Sequence, residues 1–143
     1  MPKRTATAKW EGSLREGEGK IGLGSGAWEG PYSARSRFED APESNPEELL
    51  AAAHAGCFTM ALSLILGSAG HDPETLETEA TVHLKQEDGG YVIPRIDLVV
   101  RGTVPGIDQD EFEKHATTAK EVCPLSKALA SVEEITLDAQ LES

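Results

Sequence analysis

The stretch NPEELLAAAHAGCFTMALSLILGSAG, residues 45–70, predicts one long helix with clear start and stop signals. Asn45 can cap the first backbone amides, Pro46 suits the first helical position, and the two glutamates that follow complement the positive end of the helix dipole. Gly67 and Gly70 supply the stop signal. From residue 49 to residue 69 no side chain carries a full charge and apolar residues occur all round, which indicates a helix buried on every side.

The composition favours one soluble domain and excludes several classes of partner. A chain of 143 residues suits a single modest core, and its net charge of -12 with scattered basic residues argues against nucleic acid and anionic membrane surfaces. The small and polar residues of the long helix, with its acidic flank, argue against a membrane span. No apolar run follows the basic residues of Met1–Thr5, so no signal peptide is indicated. We expect a cytoplasmic protein, in which a permanent structural disulfide would be unusual.

The residues before the long helix predict three short strands rich in glycine. The strands are expected at Thr5–Trp10, Lys20–Gly24 and Tyr32–Phe38, and alternation would place Arg35 and Arg37 on one face of the third. This segment has little apolar bulk, so it should pack on something else, such as a second subunit.

The residues after the long helix predict a hairpin, two helices and a last strand. Alternation over Thr75–Lys85 and Tyr91–Thr103, with glycines in the turn between them, indicates the hairpin, and Pro94 indicates an irregularity within it. Asp108 begins a helix, Cys123 followed by proline begins a short one, and residues 135–141 alternate as a strand. The predicted order is β-β-β-α-β-β-α-α-β, which is an α+β fold.

The chain has two cysteines, Cys57 and Cys123, whose spacing says nothing about pairing. Buried cysteines are often inert small hydrophobes, and that interpretation stays open here. Two local features favour reactivity instead. Cys123 lies at a predicted helix start, where free amides favour a thiolate. Cys57 follows the small residues Ala55 and Gly56, which allow another backbone or a ligand to come close.

Other kinds of site have weaker support in the sequence. His54 and Cys57 share a helix face, and His83, His115 and Cys123 would complete a zinc site, but no paired Cys-x-x-Cys or His-x-x-x-His supports it. A hydrolase would need a Gly-x-Ser-x-Gly elbow, which the chain lacks. Its Gly-x-Gly precedes no helix, so a nucleotide fingerprint is not indicated either.

Several motifs together resemble the OsmC/Ohr family of organic hydroperoxide reductases. Residues 45–49 with 52–58 are similar to the central-helix signature of that family, and residues 123–126 resemble its second cysteine motif. The shorter motifs match the OsmC branch more than the Ohr branch, and they are Trp10–Gly12, Pro31–Tyr32, Arg37–Phe38 and Val104–Asp108.

The resemblance implies a particular assembly. The family fold is an intertwined homodimer in which antiparallel sheets pack around two central helices, one from each chain. Residues 1–143 would then form a single OsmC-like domain, and its N-terminal strands, about residues 5–38, would pack on the partner chain.

The resemblance also implies the chemistry. Cys57 would be the peroxidatic cysteine and Cys123 the resolving one, with Arg37 and Glu47 as the pair beside the thiolate. Organic hydroperoxides would be reduced to alcohols through a Cys57 sulfenic acid and a Cys57–Cys123 disulfide, in defence against oxidative or osmotic stress. An external dithiol, for which the family expectation is a dihydrolipoyl protein, would restore both thiols, and neither a cofactor nor a metal is implied.

The residue types fit this implied chemistry. Because an arginine keeps its proton in proteins, Arg37 can hold a buried thiolate ionised, and Glu47 would fix the guanidinium by two parallel hydrogen bonds. Glu47 and Cys57 are ten residues apart on the predicted helix, about 15 Å along its axis, so we expect the partner chain to donate Arg37 or Glu47 to each site. The competing hypothesis is a non-catalytic, stress-associated dimer whose cysteines are structural or bind a metal.

Overall fold

The computed structural model describes residues 1–142 and divides into two compact units, Met1–Leu49 and the remainder from Leu50 onward. The elements confirm the predicted α+β class and order, with one short helix added before the long one. In chain order they are β1 (Ala6–Glu11), β2 (Glu18–Leu23), β3 (Glu29–Tyr32), α1 (Ala34–Phe38), α2 (Pro46–Ser68), β4 (Thr75–Glu87), β5 (Gly90–Thr103), α3 (Gln109–Val122), α4 (Pro124–Ala128) and β6 (Glu134–Glu142).

The first unit is an antiparallel meander in the order β1-β2-β3. Trp10 and Tyr32 stack edge to face with their ring centroids 5.3 Å apart. Gly19 lies between the two rings, and a Cβ atom there would come within 2.5 Å of both of them. The glycine therefore lets two aromatic rings cover a strand that has little apolar bulk of its own.

The third strand is shorter than predicted, because residues 34–38 form helix α1. Ser33 Oγ accepts a hydrogen bond from the Ser36 amide at 3.1 Å, and Ser36 Oγ accepts one from the Ser33 amide at 2.9 Å. This reciprocal capping box favours a helix over the strand alternation. The prediction that Arg35 and Arg37 share a strand face is therefore wrong, since two residues along a helix differ by about 200° in direction.

Helix α2 begins and ends where the sequence predicts. Asn45 Oδ1 accepts from the Glu48 amide at 2.8 Å, and after Ser68 the chain turns at Gly70, whose φ is +88°. Within one chain, however, only one face of the helix is buried. Four residues of that face are fully buried, whereas Met60 and Leu64 on another face are 75% and 71% exposed. The fully buried residues are His54, Phe58, Leu62 and Leu66.

The same helix is long and apolar enough to cross a bilayer, a property that buried helices of soluble proteins share.

The second unit contains a sheet in the order β4-β5-β6. Strands β4 and β5 form the predicted hairpin, and their register shifts between His83 and Lys85, close to Pro94 on the facing strand. Strand β6 pairs with β5 in parallel, with Ile96 opposite Ile135. The expectation of wholly antiparallel sheets is therefore wrong for this pair. Helices α3 and α4 form a crossover between the two strands, and such a connection returns the chain in the same direction.

Side-chain hydrogen bonds anchor helix α3 at its start, and Cys123 follows its last residue. Asp108 Oδ1 accepts from the Glu111 amide at 2.9 Å, as a capping residue does. The Gln109 side chain donates to the Ala139 carbonyl at 2.7 Å and accepts from the Leu141 amide at 2.8 Å. Because both bonds reach strand β6, they set the position of the helix against the sheet. Its buried stripe joins the common core of α2, β5 and β6, and consists of Phe112, Ala116 and Ala119.

Candidate active site

The structure brings the two cysteines together in the second unit. Cys57, on helix α2, and Cys123, between α3 and α4, are both reduced, and their Sγ atoms lie 3.0 Å apart. Cys123 is fully buried and Cys57 is partly exposed. A disulfide bond measures about 2.05 Å, so a movement of about 1 Å would join the two sulfur atoms.

The backbone of Cys123 makes hydrogen bonds to both helices that it connects, α3 and α4. Its amide donates to the Ala119 carbonyl in the last turn of α3 at 2.9 Å, and its carbonyl accepts from the Lys127 amide in α4 at 3.1 Å. Pro124 is the first residue of α4, as the sequence predicts, and the Cys123 side chain makes no capping hydrogen bond. The thiol is therefore held in place but is not used to cap the helix.

The two thiols share one hydrogen bond, and their environments shift their pKa values in opposite directions. Burial raises the pKa of the Cys57 thiol, and the contact with Cys123 raises it further. Burial also opposes ionisation of Cys123, but the hydrogen bond with Cys57 and the polar groups of Leu125 and Ser126 at the start of α4 together lower the pKa of Cys123. These neighbours therefore favour the negative charge on Cys123. The resemblance implies a thiolate at Cys57. Stabilising that thiolate requires a positive group other than these neighbours.

A buried histidine and serine, whose pairing the sequence analysis missed, lie beside the cysteines. His54 Nε2 is 2.8 Å from Ser126 Oγ, and both side chains are buried. Burial lowers the pKa of His54, so its imidazole is neutral near pH 7. His54 precedes Cys57 by three residues and Ser126 follows Cys123 by three. That helical spacing from each cysteine is the signal that would have pointed to both residues.

The residues of the zinc hypothesis do not assemble into one site. His83 Nε2 lies 2.7 Å from the Asp97 carboxylate on the sheet, and His115 Nε2 lies 3.6 Å from Glu111 on α3. Within residues 1–142, no group of three or more His, Cys, Asp or Glu side chains is arranged to hold a metal ion.

Arg37 and Glu47 pair within the first unit. Arg37 Nε donates to Glu47 Oε1 at 2.9 Å, and the guanidinium carbon lies 5.4 Å from the centre of the Phe38 ring. Glu47 is almost fully buried, and its Oε2 has no hydrogen-bond partner within the described chain. The expectation of two parallel hydrogen bonds is therefore wrong. The carboxylate meets the guanidinium through Nε alone, which leaves Oε2 outside the pair.

A pocket of about 400 Å³ lies beside Arg37 in the same unit, and its lining is mostly apolar. It combines one cation with aromatic and aliphatic walls, which suits an organic molecule with one polar end. The lining includes Trp10, Leu14, Tyr32, Arg37 and Phe38.

Comparisons with known proteins agree with the resemblance. The model of the OsmC family, described as OsmC-like protein, matches residues 39–138. The chain is 46% identical over 137 residues to the peroxiredoxin OsmC of Escherichia coli strain K12, which covers 95% of this chain and 94% of that protein. It is 33% identical over 98 residues to the organic hydroperoxide resistance protein-like 2 of Staphylococcus epidermidis, which covers 67% of each chain.

The fold agrees as well. An organic hydroperoxide resistance protein from Elizabethkingia anophelis superposes with a TM-score of 0.78 at 26% identity, over 96% of each chain. With a family model that matches most of its length and a near-full-length relative at this identity, the chain belongs to the OsmC family.

Proposed function

We propose that this protein is a thiol-dependent peroxidase that reduces organic hydroperoxides to alcohols in stress defence. The observation that carries the proposal is the pair of reduced cysteines with sulfur atoms 3.0 Å apart in a largely apolar core. Related proteins named peroxiredoxin OsmC and organic hydroperoxide resistance protein support the same class of reaction.

The reaction begins at Cys57, the more exposed sulfur. Its thiolate attacks one peroxide oxygen, the O–O bond breaks, and the alkoxide that leaves takes a proton to become the alcohol. Cys57 becomes a sulfenic acid. The Cys123 thiolate then attacks the Cys57 sulfur, so that an S–S bond forms and hydroxide leaves as water. A dithiol donor, such as a dihydrolipoyl protein, reduces the disulfide by exchange and is itself oxidised to a disulfide.

Arg37 supplies the positive charge that this first step requires. Within the second unit, the surroundings of the two thiols favour a negative charge on Cys123 rather than on Cys57. A cation is therefore needed to favour the thiolate at Cys57. A guanidinium also stabilises the negative charge that develops on the leaving oxygen. Glu47 orients Arg37 through the 2.9 Å hydrogen bond, so the two residues act as one group.

A homodimer would bring this group to the cysteines. The ten-residue spacing between Glu47 and Cys57 corresponds to about 15 Å along a continuous helix, which is too far for one compact site. Because Arg37 and Glu47 pair within one chain, both would come together from the partner. The exposed Met60 and Leu64 on helix α2 support such an assembly, because large apolar side chains on one face favour a second copy.

The assembly and location follow from the same proposal. Each chain would form a single OsmC-like domain whose N-terminal strands pack on the partner. The protein would act in the cytoplasm, where reduced thiols persist, and its net charge of -12 disfavours a nucleic-acid partner.

The proposed chemistry is tested by treating the reduced protein with one equivalent of an alkyl hydroperoxide. We expect the loss of two free thiols per chain and a mass decrease of two hydrogens, because Cys57 and Cys123 become one disulfide. The measurements are thiol titration and intact-mass spectrometry of the same sample. Unreactive thiols, or thiols protected by stoichiometric zinc, would favour the non-catalytic dimer instead.

The shared site is tested by co-expressing two inactive variants with different affinity tags, Cys57→Ser and Arg37→Gln. A mixed dimer contains one site with both native residues if Arg37 comes from the partner. We expect the doubly tagged dimer to show about half of the wild-type peroxidase activity, because one of its two sites is complete. Each variant expressed alone is the control. If the doubly tagged dimer were as inactive as its two parents, Arg37 would serve the cysteines of its own chain.

A further inference from the structure

The side chain of Asn45 makes two hydrogen bonds, and only one of them is needed to cap helix α2. Its Oδ1 atom accepts from the Glu48 amide at 2.8 Å, which is the capping bond. Its Nδ2 atom donates to the Ser36 carbonyl at 3.0 Å. Serine or aspartate caps a helix about as well as asparagine, and neither has a side-chain N–H to donate. The second bond therefore calls for an explanation other than capping.

This second bond joins the segment that carries Arg37 to the segment that carries Glu47. Ser36 directly precedes Arg37 in helix α1, and Asn45 lies two residues before Glu47. The carbonyls in the last turn of a helix lack partners within that helix. The Ser36 carbonyl therefore needs a donor from outside α1, and the Asn45 side chain supplies it.

A hydrogen bond in the opposite direction joins the same two segments. Ser36 Oγ donates to the Ser44 carbonyl at 2.7 Å, and both serines are buried. Ser44 is held against strand β3, since its Oγ and its amide both donate to the Pro31 carbonyl, at 2.6 Å and 3.1 Å. The loop of residues 39–44 is therefore held at both ends, and α1 has a fixed position against the start of α2.

The ion pair between Arg37 and Glu47 contributes little to this geometry by itself. It consists of one hydrogen bond, and the Arg37 side chain is 41% exposed. A partly exposed ion pair gains little free energy, because solvent screens the charges and two long side chains must be ordered. The position of a catalytic group matters more, since a shift of about 1 Å can slow a reaction about a hundredfold. The backbone that carries Arg37 must therefore be fixed by other bonds.

We propose that Asn45 is a positioning residue for Arg37: by donating to the Ser36 carbonyl, it fixes helix α1 against the start of α2 and so holds the guanidinium at Glu47 in one orientation. The effect on hydroperoxide reduction rests on the proposed function, because it requires Arg37 to act on Cys57. The hydrogen bonds of Asn45 do not depend on that function, so they can be tested in the resting protein.

The first test measures the Asn45 hydrogen bond in the wild-type protein by NMR. Asn45 is the only asparagine of the chain, so selective ¹⁵N labelling of asparagine side chains gives one side-chain amide, which needs no assignment. We expect its N–H protons to exchange with water at least about tenfold more slowly in the folded protein than in the urea-unfolded chain. Equal exchange in the two states would overturn the proposal.

The second test separates the two bonds of Asn45 by substitution. Asn45→Ser keeps a capping oxygen but loses the Nδ2 donor, whereas Asn45→Ala loses both. The measurement is the exchange rate of the Arg37 Nε–H proton, whose signal is assigned with Arg37→Gln. We expect about tenfold faster exchange in both variants, because the guanidinium leaves Glu47 more often once that bond is lost.

The matched control for this test is Asp108→Ala, which removes a cap of the same kind at the start of α3. We expect it to lower stability as Asn45→Ala does and to leave the Arg37 Nε–H signal unchanged. Asn45→Ser should keep nearly the wild-type stability, because its cap remains. An unchanged Arg37 signal in Asn45→Ser would overturn the positioning role.

The third test follows the two reaction steps separately. We expect Asn45→Ser to slow sulfenic acid formation at Cys57 about tenfold and to leave disulfide closure with Cys123 unchanged, because only the first step uses Arg37. A wild-type rate in Asn45→Ser with a slow rate in Asn45→Ala would show that Asn45 only caps the helix, which would overturn the proposal. A wild-type protein with the expected NMR signals but no reaction with hydroperoxide would instead overturn the proposed function.

Discussion

Cys57→Ser is expected to reduce the consumption of organic hydroperoxide to about a thousandth of the wild-type rate or less. The hydroxyl of serine is not ionised near neutral pH, so no sulfur nucleophile remains for the peroxide oxygen. The Cys123 sulfur cannot replace it readily, because Cys123 is fully buried. The measurement is the rate of hydroperoxide loss with a dithiol reductant in excess.

Cys123→Ser is expected to separate the two halves of the cycle. Cys57 still reacts with the first equivalent of peroxide, but the sulfenic acid that forms has no second sulfur within 3.0 Å to condense with. We expect one rapid turnover, followed by a sulfenic acid that a specific trapping reagent labels and mass spectrometry detects.

The matched control for both variants is Thr117→Ser, an equally small change at an exposed position of helix α3. Serine can keep the bond from the Thr117 hydroxyl to the Glu113 carbonyl, so we expect unchanged activity. If Cys57→Ser retained full turnover, Cys57 would not be the nucleophile and the proposed mechanism would be wrong.

Phe112→Ala is expected to lower the free energy of unfolding by about 3–5 kcal/mol, the usual loss when a fully buried phenylalanine is truncated. Phe112 is completely buried in the common core. Its ring lies over Gly102 of strand β5, where an added Cβ would come within 2.9 Å of the ring and 2.8 Å of Leu76. The glycine is therefore required by the ring that packs on it.

Gly102→Ala tests this contact from the other side. We expect it to lower the free energy of unfolding by about 1–3 kcal/mol, because the new methyl group overpacks the core. In the double variant with Phe112→Ala, the methyl group can enter the space that the ring has left. The double variant should then be more stable than the sum of the two single losses predicts.

The measurement is urea unfolding at one fixed protein concentration, since the stability of an assembling protein depends on concentration. Val122→Ala, a truncation at an exposed position of the same helix, is the control and should change the free energy by less than about 0.5 kcal/mol. Additive losses in the double variant would show that the ring and the glycine do not act on each other.

The sequence alone determined the features that depend on hydrogen bonds within a few residues. The cap at Asn45, the glycine turn of the hairpin, the cap at Asp108 and the start of α4 at Pro124 all lie where they were predicted. Each uses a local interaction that the residue types already specify. Helix α1 was missed because strand alternation and a serine capping box competed over the same residues, and the local capping box prevailed.

Only the tertiary structure decided which distant side chains meet. Cys57 and Cys123 are 66 residues apart in sequence, and His54 and Ser126 are 72 apart. The resemblance named the cysteine pair, but no spacing in the chain predicted either contact. Both contacts, like the parallel pairing of β6, depend on how helices and sheet pack around one core. Packing among elements is a property of the whole chain, and local residue preferences do not contain it.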